Sequence, residues 1–351
     1  MSAAASSLRF DQLTPAQGLS SNVVTFITRS SAGFMWLGTA DGLNRFDGYQ
    51  FKHFHHNPQQ PDSLSDSYIT AGFYDSKGTL WVGTGVAGLN RYNNQTQGFD
   101  HFLHDPRDPA SLSHHHVTAI AEDAQGFLWV GTSKGLNRFN PKQRNFQHFK
   151  HDKSDPYSLS HDDIRTIYQD LQGDLWIGTK HGLNRFNAQT DQFERFEHDP
   201  SNVASINSND VRALYQDNQK RFWVGTKNGG LNLFDTKSGR FTTVGLQGKN
   251  NDSVTAITQD TKDNLWIGTY KGLCRLDTIV ICYRHQLSDP NSISSDLVLN
   301  IYADPQGLVW AGTFAGGASS VDTKLAQFGH FKHSPSDKGS LSHNSGMSLY
   351  K

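Results

Sequence analysis

At 351 residues, with 32 glycines, 11% aromatic and only 35% hydrophobic side chains, the composition suits many short strands and tight turns better than a helical bundle. A formal net charge of −1 excludes a protein-wide field for nucleic acid or anionic lipid, and no run approaches the roughly 18 apolar residues of a membrane span. The opening MSAAASSLRF lacks the basic and apolar regions of a secretory signal; Ala3 to Ala5 fit a cleavage-site stub or an engineered start equally well.

Residues 8–13, Leu-Arg-Phe-Asp-Gln-Leu, have the pattern of a fourth strand lying ahead of the first full repeat, which predicts a ring closed by its N-terminal strand. From there one repeat recurs seven times. Its centre is Trp-x-Gly-Thr, headed by Trp36, Trp81, Trp129, Trp176, Trp223, Trp266 and Trp310, spaced 43 to 48 residues apart. That is the range of propeller blades. An apolar strand precedes each Trp, as at Val117–Ile120 and Ile164–Ile167. A hairpin turn Asp-x-x-Gly follows it in four copies, Asp75/Gly78, Asp123/Gly126, Asp170/Gly173 and Asp304/Gly307. The third strand reads Gly-Leu-Asn-Arg-Phe at 42–46, 135–139 and 182–186, with Tyr92 closing the copy at 88–92. The fourth reads Phe-x-x-Phe, as in Phe51/Phe54, Phe146/Phe149, Phe193/Phe196 and Phe328/Phe331.

A four-stranded blade cannot cover both of its faces alone, whereas stacking around an axis does so and leaves only short edges. The expectation is an all-β, seven-bladed β-propeller with four-stranded antiparallel blades, a single unit over residues 1–351. Residues 340–351 match the start of an eighth repeat, as if leading to a second propeller in a longer protein.

Three blades depart from the pattern. Blade seven has Gly317-Ala-Ser-Ser-Val321 as its third strand, blade six replaces the Asn by Cys274, and blade five replaces the Arg by Leu233. Cys274 and Cys282 share one predicted hairpin and are expected as two reduced, partly buried thiols; a bridge needs their Cα atoms within about 7 Å. Two histidine columns, His53/His101/His148/His330 and His56/His104/His151/His198/His333, fall on outer strands of different blades. That is too far apart to share a metal, whose ligands lie about 2 Å from it. The His114-x-His116 pair lacks an assignable carboxylate. No metal, cofactor or catalytic residue is predicted.

The run Leu128 to Phe139, Leu-Trp-Val-Gly-Thr-x-x-Gly-Leu-Asn-Arg-Phe, resembles the two-component regulator propeller repeat. So does the linker Asp-Pro-x-Ser-Leu-Ser at 108–113 and 155–160. The resemblance implies a periplasmic sensor domain of a membrane receptor. It also implies a second propeller, a membrane-anchored kinase or diguanylate cyclase output, a carbohydrate or related small-molecule ligand, and a homodimer. An enzyme and a protein-docking platform are the competing classes. Asp123 to Trp129 is similar to the structural turn of sialidases, and streptogramin-lyase propellers have related repeats, yet no acid–base pair is assignable from spacing.

Propellers bind at the axial mouth formed by their fourth-to-first and second-to-third strand connections. The second kind supplies Asp41, Lys134, Lys180, His181, Lys227, Asn228, Tyr270, Lys271 and Phe314. First strands open with variable pairs, His115-His116, Asp162-Asp163, Asn209-Asp210 and Asp252-Ser253. Eleven residues before each Trp stand Thr25, Thr70, Thr118, Arg165, Arg212, Thr255 and Leu299. Arg165 and Arg212 have two readings. They are guanidiniums near the axis that grip a carboxylate, phosphate or sugar hydroxyl, or they are local partners of Asp163 and Asp210. The candidate ligand-binding set is Arg165, Arg212, His116, Asp163, Asp210, Lys180, His181, Lys227 and Tyr270.

Overall fold

A computed structural model describes residues 8–246 and 252–324. It contains seven four-stranded antiparallel sheets, each in sequential strand order except the last. Blade four shows how the repeat folds, with strands Ile164–Gln169, Leu175–Thr179, Gly182–Asn187 and Gln192–Phe196. The Asp170 carboxylate accepts from the backbone N–H of Gln172 (3.0 Å) and Asp174 (2.9 Å), and its second oxygen accepts from Trp176 Nε1 (2.9 Å). One side chain therefore shapes the first hairpin and fixes the indole of the second strand. Asp75, Asp123, Asp217 and Asp260 bond Trp81, Trp129, Trp223 and Trp266 in the same way. The Asp217 and Asp260 turns escape the Asp-x-x-Gly pattern because Lys220 and Asp263, both at φ 63°, take the left-handed position otherwise held by glycine.

Seven hydrophobic clusters each join one blade to the next. Trp176 and Leu183 of blade four pack with Val211, Leu214 and Phe222 of blade five, and Trp310 of blade seven packs with Val24, Ile27 and Leu37 of blade one. The glycine of Trp-x-Gly-Thr is fixed by this approach. A Cβ on Gly178 would lie 2.7 Å from Val211 Cγ1 and 2.9 Å from Val211 O of the following blade.

The N-terminal strand Asp11–Leu13 completes blade seven, pairing antiparallel with Ala318–Asp322 in the register Asp11↔Ser320, Gln12↔Ser319 and Leu13↔Ala318. The ring closes as the sequence suggested. The fourth-strand place in that sheet is thus taken by residues 11–13, which corrects its assignment to Phe328/Phe331; those residues, His330, His333 and the eighth repeat from 340 lie outside the described residues.

Cys274 and Cys282 are bonded to each other, against the expectation of free thiols. They stand directly opposite across two strands, with Cα atoms 3.9 Å apart. The same cross-strand site is Asn44↔His53 in blade one, Asn137↔His148 in blade three and Asn184↔Arg195 in blade four. There the outer residue bonds a carbonyl of the incoming linker: His53 to Gly18, His148 to Ser111, Arg195 to Ser158. Gln12 does so in blade seven, to Ser292 O at 2.9 Å. Blade six lacks the Asp-Pro-x-Ser-Leu-Ser linker and has the cystine at that place instead.

Candidate functional site at the axial mouth

Each first strand carries a β-bulge at one position, between Val117 and Ala119, Ile164 and Thr166, Val211 and Ala213, and likewise in the other four blades. The bulged residues are Thr25, Thr70, Thr118, Arg165, Arg212, Thr255 and Leu299, the column singled out in the sequence. A bulge re-aims its side chain, and all seven residues line one axial cavity of about 320 Å³. Further along the strands the cavity wall turns apolar, with Ile120, Ile167, Leu214, Ile257 and Ile301. Phe26 lies across Gly72, where a Cβ would come 2.2 Å from its ring. The bulge is thus a property of the scaffold, and blades four and five place arginines on it.

The threonines of this column are mostly structural. Thr25, Thr70 and Thr255 donate to the carbonyls of Ile69, Val117 and Val298 in the following blade, at 2.8, 2.6 and 2.7 Å. Thr118 Oγ1 is buried and has no partner.

Both arginines also pair locally, so the two readings of the sequence coexist. Arg212 Nε and Nη2 each lie 3.1 Å from the Asp210 carboxylate, and Nη1 donates to Tyr270 Oη at 2.8 Å. Arg165 Nη2 lies 3.0 Å from Asp163 Oδ2, while Nε stands 3.6 Å from Asp210 Oδ1, too far for a hydrogen bond. Asp163 Oδ1 and Arg165 Nε are both buried without a partner. His116 borders this group. Its Nδ1 lies 2.8 Å from Ser133 Oγ, and its pKa falls below the usual 6.5 through burial, with Asp163 opposing and Arg165 reinforcing the shift.

Of the other expected residues, Lys180 and Lys227 flank the mouth through their backbones, donating to Asp163 O and Asp210 O at 3.0 and 2.8 Å. His181 turns away, its ring 4.0 Å from Glu197 and 3.5 Å from Asn209 Nδ2. It does not join the arginine cluster. Two first members of the variable pairs also leave the mouth: Asp162 and Asn209 accept from the backbone of His151 and His198 in the preceding blade. His151 and His198 in turn bond Leu159 O and Ile206 O, so this column is a blade-to-linker clasp. On the opposite side of the ring, Tyr68, Val86 and Phe314 are exposed in the same set of connections.

His161 escaped the sequence reading, and His114, weighed there only as half of a metal pair, has the same role. Each accepts, at Nδ1, the backbone N–H two residues on, from Asp163 at 2.9 Å and His116 at 3.1 Å. Ser21 and Ser295 do this with a hydroxyl in blades one and seven. Burial lowers the pKa of both imidazoles, with Lys134 adding to the shift at His114 and Asp163 opposing it at His161. A lowered histidine pKa means the folded state favours the neutral ring. Its contribution is complete above the unfolded value near 6.5 and is lost as pH falls through the folded value. The urea midpoint is therefore expected to fall as pH drops from 7 to below 6. His114→Ser with His161→Ser, which keeps the acceptor and removes the titration, is expected to flatten that fall. An unchanged slope in the double variant would remove these rings from the effect.

Fold and mouth together define a seven-bladed propeller with a charged, incompletely hydrogen-bonded axial site. The model of the two-component regulator propeller matches residues 111–134, 158–181, 205–228 and 248–271, in blades three to six. The chain is similar to the extracellular domain of a hybrid two-component system of B. thetaiotaomicron, at 30% identity and a TM-score of 0.79 over 90% of this chain and 42% of that one. It is homologous to that extracellular propeller and spans less than half its length. A histidine kinase of Formosa agariphila is 45% identical over 56 residues, 16% of this chain and 4% of the kinase. Virginiamycin B lyase of Staphylococcus aureus shares the fold at 15% identity and a TM-score of 0.66, over 90% of this chain and 99% of the lyase.

Proposed function

We propose that this chain is the extracytoplasmic, periplasmic sensor propeller of a membrane-bound two-component receptor. It binds a small hydroxylated molecule, such as a carbohydrate, at its axial mouth and does no chemistry on it. One observation carries this reading. Among the described residues six buried side-chain polar atoms lack a hydrogen-bond partner, and three of them, Thr118 Oγ1, Asp163 Oδ1 and Arg165 Nε, belong to the first strands of blades three and four and the residue just ahead of one, where Thr118 and Arg165 line the axial cavity. Buried polar groups are ordinarily satisfied, so such a concentration at a cavity is the signature of a site completed by a ligand. The Cys274–Cys282 bond suits an oxidising compartment. In the full receptor a second propeller and an output module would convert binding into a change of pairing between receptors, limited by the ligand's differential affinity for the two arrangements. The exposed apolar side chains Tyr68, Val86 and Phe314 favour a second reading, a docking face used in dimerisation.

The test is a thermal-shift screen of the folded protein against mono- and oligosaccharides, carboxylates and nucleotides, repeated with Arg165→Ala and Arg212→Ala. A ligand at one hundred times its Kd adds about 2.7 kcal/mol of stability. A saturable rise lost in Arg165→Ala is the expected result. No rise with any compound would favour the docking reading.

A further inference from the structure

The two arginines of the bulge column are equivalent in sequence and unequal in their surroundings. Arg212 has all three guanidinium nitrogens engaged, two by Asp210 and one by Tyr270. Arg165 pairs one nitrogen with Asp163, while its buried Nε makes no hydrogen bond and stands 3.6 Å from Asp210 Oδ1. Asp163 likewise keeps Oδ1 buried and open. An open donor and an open acceptor thus belong to two side chains already joined at 3.0 Å. Thr118 of the neighbouring blade lines the same cavity, and its Oγ1, able to donate or accept, is buried without a hydrogen bond.

We infer that Arg165 is the ligand-reading residue and Arg212 a positioning residue, and that the group read at Arg165 and Asp163 is neutral, both donating and accepting hydrogen bonds, with anions refused. A hydroxyl or a carboxamide has this chemistry. The inference rests on the small-ligand reading above and narrows it.

Charge balance decides against an anion. Two guanidiniums face two carboxylates, Asp163 and Asp210, so the half-buried cluster has no net formal charge. An anionic oxygen reaching Arg165 Nε would meet Asp163 Oδ1, an unshielded acceptor, and Asp210 Oδ1 at 3.6 Å from the same nitrogen. Like charges at that range repel, and the half-buried setting screens them less than bulk water does. A neutral hydroxyl accepts from Arg165 and donates to Asp163, leaving neither orphaned. His116 adds no charge, since burial holds its pKa below the ordinary value. Lys180 is exposed at the rim, where water and salt screen it. Arg212, bound to Tyr270 across the blade junction, sets the wall against which Asp210 and Arg165 are held.

Isothermal titration tests this with matched pairs: glucose and glucuronate, galactose and galacturonate, glycerol and glycerate, acetamide and acetate, with inorganic sulfate as a bare anion. The sugar and amide arms separate the two sources of the neutral group. The wild type is expected to bind a neutral member at least tenfold more tightly than its acid and to bind no sulfate. Arg165→Lys, which keeps the charge and loses Nε, is expected to weaken that neutral ligand at least tenfold, and Arg212→Lys less than threefold. Asp163→Asn with Asp210→Asn leaves the arginines uncompensated and is expected to gain sulfate binding. Tighter binding of the acids or of sulfate to the wild type would overturn the neutral-ligand inference while leaving a small-ligand sensor. Equal losses in the two lysine variants would overturn the division of roles. Silence of every probe, sulfate with the double variant included, in protein shown to be folded, would overturn the mouth as a binding site altogether.

Discussion

Deleting residues 8–13 is expected to open the ring and lower stability by more than any single change at the mouth. Strand Asp11–Leu13 covers the edge of Ala318–Asp322, and its loss exposes an unpaired strand. Phe10 is buried against Tyr283, with ring centroids 5.6 Å apart, in the cluster that holds Trp266, Ile293 and Val298. Truncating a buried Phe costs about 3–5 kcal/mol. The deletion also removes the bonds from Gln12 to Ser292 O (2.9 Å) and from Phe10 N to Asn291 O (2.8 Å). Phe10→Ala should therefore account for most of the loss, and the deletion should exceed it. Urea unfolding gives the magnitude, and hydrogen exchange gives the location: amides of blades seven, six and one should lose protection first, while blade four keeps its own. A deletion variant with an unchanged midpoint would mean that the blade-seven edge is closed in some other way.

The fold was legible because its signal is repeated and its cause is local. Every Trp heads the same Gly-Thr, and the glycine is dictated by the next blade's approach, as at Gly178 against Val211. Where one residue type stood as the marker for a conformation, the reading fell short. The Asp217 and Asp260 turns were passed over because Lys220 and Asp263 hold the left-handed position in place of glycine. The cystine was passed over for a different reason. Hairpin membership does not fix register, and only the pairing of Cys274 directly with Cys282 brings the sulfurs together.

The mouth was half legible. The column of Arg165 and Arg212 was visible as a break in a repeat, but the bulge that aims it at the axis leaves no residue-type signature, since Thr, Arg and Leu all occupy it. Variation alone misled at the residue pairs. Asp162 and Asn209 vary within the limits of a shared task, accepting from a backbone N–H in the preceding blade, and so do not belong to the mouth. His161 was invisible because its role, an Nδ1 acceptor where other blades use Ser21 or Ser295, is met by chemically unlike residues. What sequence conveys is the repeat and its exceptions; whether an exception is functional depends on which bonds it leaves open, and Arg165 and Arg212 differ only there.

Asp217→Ala carries the second large expected effect, about 3–5 kcal/mol of destabilisation. The carboxylate is fully buried. It accepts from Gln219 N (3.0 Å), Arg221 N (2.9 Å), Arg221 Nε (2.6 Å) and Trp223 Nε1 (2.9 Å). Alanine leaves the indole N–H and two turn amides without an acceptor, and each buried orphan costs about 1–3 kcal/mol unless water reaches it. The turn loses its geometry as well, because Lys220 is held at φ 63° by the bonds that close around Asp217. Blade one supplies the internal control. There Ser30 takes the place of the aspartate, and Trp36 Nε1 is already without a partner. Trp36→Phe thus removes ring volume alone, whereas Trp223→Phe removes volume and strips Asp217 of a charge-assisted bond. The double cycle of Asp217→Ala with Trp223→Phe should show a coupling of roughly 1.5–3 kcal/mol, the range for hydrogen bonds to charged groups. Ser30→Ala with Trp36→Phe should show almost none. Equal coupling in both blades would mean that the aspartate shapes the hairpin without holding the tryptophan, and that the indole stays in place through packing alone.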